Sequence, residues 1–115
     1  MKFSDVLADV RAEVLVEFAG PAALVDYNPT ARWIGRLCVR ELNIRKGEAV
    51  PDTQDVAPLE LADDEVEFAL EWLDETASHF ANTGADHRDA DLLRLAALVD
   101  HVRETLLQRI ASPLQ

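Results

Sequence analysis

The chain has 115 residues, 49% hydrophobic and 29% charged, with a formal net charge of −11 at pH 7. That length suits one domain with a core of its own, and that apolar content excludes an intrinsically disordered acidic chain. The acidic surplus disfavours general binding to nucleic acid or to anionic membranes, because the field of the whole molecule repels phosphate.

No apolar run approaches the roughly 20 residues that a membrane span requires. The start, Met1-Lys2-Phe3-Ser4-Asp5, acquires charge before a secretory apolar region can form. Cys38 is the only cysteine, which excludes an internal disulfide and fits a reducing compartment. A cytoplasmic protein is expected.

Four segments carry helical periodicity, and none alternates with period two. In the first, Phe3, Val6, Leu7, Val10, Val14, Leu15 and Phe18 fall on one stripe. This predicts a helix over about 4–19, capped by Ser4, with Asp5 in the favourable first turn and Gly20-Pro21 as its stop. Pro21 to Asp26 can add a short turn. Asn28-Pro29 then reads as a cap followed by proline at the first helical position, opening a second helix over about 29–46. Ile34, Leu37, Cys38 and Leu42 form its apolar face, Trp33 lies on the flank, and Gly47 ends it behind Arg45 and Lys46.

A long acidic connection follows over about 47–62, with Pro51 and Pro58 and no clear period. The third helix, about 63–81, starts where Asp64 and Glu67 have capping-box spacing and ends at Asn82-Thr83-Gly84. Its core line is Val66, Leu70, Leu73, Ala77 and Phe80, widened by Phe68 and Trp72. The fourth helix, about 88–111, begins between His87 and Asp89 and is stopped by Pro113. Leu92, Leu95, Ala96, Val99, Val102, Leu106 and Ile110 share one face, and Leu93, Leu98 and Leu107 widen it as in the centre of a bundle. The expected fold is all-α: a single-domain bundle of four main helices, the last two forming an antiparallel hairpin.

Charge is segregated along this pattern. Pro29 to Lys46 holds Arg32, Arg36, Arg40, Arg45 and Lys46 against one acid, Glu41, whereas Gly47 to His87 contains no lysine or arginine. Asp64, Glu67, Glu71 and Asp74 recur at i, i+3, i+7 and i+10 with Glu75 beside them, a ridge opposite the core line. Like charges at i, i+4 cost an isolated helix a few tenths of a kcal/mol each. Arg32, Arg36 and Arg40 repeat at the same pitch, so the two rows either pair internally, face solvent, or serve a partner.

Other chemistry is thinly signalled. Glu75 and His79 are spaced i, i+4, and His87, Asp89 and Asp91 follow, but there is no HExxH and no third placed ligand. Glu71 and Asp74 give an E-x-x-D step without the E-x-x-E on a preceding helix that a carboxylate-held magnesium centre needs. Cys38 sits at a core position, where a lone cysteine acts as a small hydrophobe. No catalytic residue, metal or cofactor is expected.

The resulting expectation is a small non-enzymatic interaction module that binds a basic protein surface through Asp64, Glu67, Glu71, Asp74 and Glu75. Its sharper form is an inhibitor occupying a nucleic-acid-binding groove, as small acidic proteins of phages and mobile elements do. Direct nucleic-acid or membrane binding is not expected. Arg32, Arg36 and Arg40 form a second candidate surface with Trp33 as its aromatic anchor. The first alternative is a self-associating subunit, with the arginine ridge of one copy against the acidic ridge of another. The second is a metal-dependent hydrolase.

Overall fold

A computed structural model describes residues 2–23, 28–50 and 55–111. The chain is all-α, with helices α1 (Phe3–Ala8), α2 (Ala12–Ala23), α3 (Pro29–Arg45), α4 (Asp63–His87) and α5 (Ala90–Ala111). Among the described residues there is no strand, and no helix is long and apolar enough to cross a membrane. By packing, the chain divides into two compact units, Met1–Pro58 and Leu59–Gln115. Residues 24–26 of the turn expected after Pro21, and Tyr27, Pro51 and Pro113, lie outside the described residues.

In the first unit, the single helix expected over 4–19 is broken at Asp9–Arg11 into α1 and α2. The break frees carbonyls at the end of α1, and Arg45 meets them. Its Nη2 donates to the carbonyl oxygens of Leu7 at 3.2 Å and Ala8 at 3.1 Å, and also to that of Val10. Its Nε donates to Glu41 at 3.1 Å, one turn back on α3. A cation at a helix C-terminus also favours the helix dipole. The kinked chain still buries Leu7, Val10, Val14, Leu15 and Phe18, so the apolar stripe survives the break.

Ser4 is not the cap of α1 but lies inside it, behind Lys2. Its backbone N–H and hydroxyl both donate to Asp55, at 3.1 and 2.8 Å. A carboxylate from the long connection thus satisfies one of the free N–H donors of the first turn. Thr30 Oγ1 donates to the Pro58 carbonyl at 3.3 Å, and Ala57 is buried, so this end of the connection is tied to the first unit. α2 continues past Gly20-Pro21 to Ala23, although proline has no N–H to donate within a helix.

α3 begins and ends as its sequence dictates. Asn28 accepts from the Ala31 N–H at 3.1 Å with Pro29 at the first position. At the other end Gly47, at φ 77°, and Glu48 donate back to Ile44 and Asn43, the paired bonds of a Schellman stop. Cys38 is buried on this helix, and burial pushes its thiol up from 9.0 to about 12.

In the second unit, α4 and α5 form the expected hairpin. The cap of α4 is Ala62, two residues before the expected pair: Glu65 accepts from the Ala62 N–H at 3.0 Å, and alanine has no side-chain acceptor to return the bond. α4 also runs through Asn82-Thr83-Gly84 to His87. Gly84 serves close packing here, since a Cβ would lie 3.0 Å from the Leu93 side chain and 3.2 Å from Leu92 Cβ. The helix stops instead at Arg88 in the left-handed region at φ 51°, and Asp89 caps α5 by accepting from Asp91 and Leu92.

Two measurements check this packing. Arg45→Met should destabilise the chain by about 2 kcal/mol, because charged hydrogen bonds to several carbonyls are lost, with Arg45→Lys recovering part; urea unfolding reads both. Cys38 should resist a thiol reagent in the folded chain and react once unfolded. Because its folded thiol holds the proton more tightly than the unfolded one, stability from this group is complete below pH 9.0 and falls as pH rises towards about 12. Cys38→Ala should therefore lose less stability across that interval than the parent chain.

Candidate functional site

The outward face of α4 follows from its inward one. Ala69, Leu73, Ala77, Phe80 and Gly84 are buried, and with 3.6 residues per turn the opposite side is populated by Asp64, Glu67, Glu71, Asp74 and Glu75. All five carboxylates are exposed. The structure thus brings the acidic ridge together on one helix face.

The second unit has little to neutralise it with. Thirteen acids stand against four arginines there, so nine of the eleven net negative charges fall on this unit. Arg94 pairs with Asp91 at 2.7 Å, Arg103 with Asp100 at 2.9 Å and Glu104 at 3.6 Å, and Arg109 with Glu60 at 3.8 Å. None of those acids belongs to the ridge. Asp74 lies near one of these cations: the Arg103 guanidinium is held above its usual range by its hydrogen bond to Asp100, with the nearby charge of Asp74 adding to it. Among the described residues Glu67, Glu71 and Glu75 form no ion pair within the unit.

Between α4 and α5, beside Asp74, lies an open groove of about 420 Å³ lined by Ala77, Ser78, Leu93, Ala97 and Arg103 among others. Its floor is small and apolar. Among the described residues no three His, Cys, Asp or Glu side chains come together as a metal would require. Glu71, Asp74, Glu75, His79 and His87 all lie exposed.

The basic row sits on α3 in the first unit. Arg36 is exposed, while Arg32 and Arg40 are half-buried, each with its Nε buried and without a hydrogen-bond partner. Among the described residues of their own unit none of the three forms an ion pair; the arginine of α3 that does is Arg45.

The aromatic anchor expected on this row is not at the surface. Trp33 is only 3% exposed and meets Phe3 edge-on, ring centroids 4.9 Å apart, so it belongs to the core. Phe68 shows the converse. Expected to widen the core of its helix, it is 49% exposed, one turn from Asp64 and from Glu71. Val39, 45% exposed, has the same place beside Arg36 and Arg40. Both residues lie at the margin of an apolar stripe, and their spacing to the charged rows was the available signal.

No protein-family model matches the chain, and no curated protein or solved structure matches it.

Proposed function

We propose that the protein is a small, non-enzymatic, cytoplasmic interaction module whose α4 face binds a basic protein surface. The observation that carries this reading is the exposed Glu67–Glu71–Glu75 row, without a cationic partner among the described residues of its own unit and flanked by half-exposed Phe68. Carboxylates one turn apart repel each other by a few tenths of a kcal/mol per pair, and a cationic partner removes that cost on binding. Phe68 supplies apolar area at the edge of the charged row, the composition of a contact in which one aromatic residue is desolvated and charges surround it. In its sharper form, the carboxylate row stands in for a phosphate backbone and the partner is a nucleic-acid-binding protein.

Capture from cell lysate tests this, using the immobilised chain and a triple variant, Glu67→Lys, Glu71→Lys and Glu75→Lys. Asp74 is left unchanged because it lies within the field of Arg103. The parent chain should retain a basic protein that salt elutes, with the variant losing at least about tenfold in affinity. Competition by added nucleic acid should displace that protein if its groove is the site occupied. Equal retention by parent and variant would refute the role of the ridge.

A further inference from the structure

We infer that the α4 acidic face of one molecule takes the α3 arginine row of a second copy of this chain. The inference rests on reading α4 as a partner-binding face and names an occupant for it. Arg32, Arg36 and Arg40 recur at i, i+4 and i+8 on α3, and Glu67, Glu71 and Glu75 recur at i, i+4 and i+8 on α4. At 1.5 Å rise per residue each row has a pitch of about 6 Å, so charges stay in step along all three positions.

Helix geometry allows the rows to meet along their length. Residues four apart form ridges inclined by about −26° to the helix axis, and two such ridges become parallel when helices cross at about −50°, the commonest packing class. Arg36 and Glu71 are the middle members of their rows, so they oppose each other whichever way the second helix runs. Unmet demand exists on both sides. Among the described residues Arg32, Arg36 and Arg40 form no ion pair within their unit, and the three glutamates form none within theirs. Val39 and Phe68, each about half exposed, give each face an apolar residue to bury.

The pairing must work against the overall charge of two chains at −11 each. At about 0.1 M salt the screening length is about 10 Å, which weakens that long-range repulsion and leaves contacting pairs; at about 1 M it is about 3 Å, which weakens the pairs as well. Because each copy carries one row of each sign, the contact either closes into a symmetric assembly or extends head to tail. Self-association also occupies the acidic face, so a basic target must compete with it.

Sedimentation velocity on the full chain, with Arg36→Glu, Glu71→Arg and their mixture, tests this. The expected result is a mass above the 12.8 kDa monomer at about 0.1 M salt, falling to the monomer at about 1 M. Each single variant should be monomeric. Mixing the two should restore association, because the central pair is then again of opposite sign, with the acid on α3 of one variant and the base on α4 of the other. Both positions are exposed, and circular dichroism confirms that the variants are helical. If a variant is unfolded, Arg36→Gln and Glu71→Gln replace the pair, and each should weaken association by several-fold. A parent chain that stays monomeric at about 0.1 M salt, or a mixture that stays monomeric, overturns the inference. If ridge reversal still abolishes lysate capture while the parent is monomeric, self-pairing alone fails and the binding reading stands.

Discussion

The constraint on which the rest depends is that α4 carries no lysine or arginine of its own. A helix of 25 residues with a buried apolar side has nowhere to put its acids except outward, and there they lie one turn apart with no such cation on the same helix to offset them. Any offsetting lysine or arginine has to lie outside α4. In the second unit the neighbour is α5, whose Arg94 and Arg103 are held by Asp91 and Asp100 three residues earlier on α5 itself. Arg109 reaches Glu60, ahead of α4. The arginines of α5 are thus paired with acids off the ridge, and among the described residues none of them forms an ion pair with Glu67, Glu71 or Glu75.

The first unit shows how differently one arginine can be used. Arg45 and its neighbours on α3 are chemically equivalent in the sequence, yet Arg45 turns towards the break between α1 and α2 and holds it through backbone carbonyls. With its side chain 30% exposed, it spends its donors on structure. Arg32, Arg36 and Arg40, on successive turns of α3, have no such carbonyls among the described residues of their own unit. Arg45 holds the fold because it stands at the end of α3 that meets the break between α1 and α2.

What could be read from the sequence was whatever its near neighbours decide. Asn28-Pro29 and Gly47 cap α3 through bonds spanning a few residues, and the two charged rows follow from helical period alone. What could not be read depended on distant chain. The break after Ala8 is closed by a residue 35 to 38 positions away, and the first turn of α1 is met by Asp55, 51 positions away. Gly84 resembled a stop because glycine commonly ends helices, whereas its role is to admit Leu92 and Leu93. Trp33 and Phe68 exchanged expected places for the same reason: each lies at the edge of an apolar stripe, and only the partner across the interface, Phe3 in the case of Trp33, decides which edge is covered.

The most direct test of an unpaired acidic row is its effect on stability in the free chain. Urea unfolding of a Glu67→Gln, Glu71→Gln, Glu75→Gln variant should be measured at about 0.05 M salt and at dilution that keeps molecules apart. Stability equal to the parent, or higher by up to about 1 kcal/mol as like-charge repulsion is removed, is the expected result. A loss of more than about 1 kcal/mol would contradict it, because the glutamates would then be held by cations within the molecule itself.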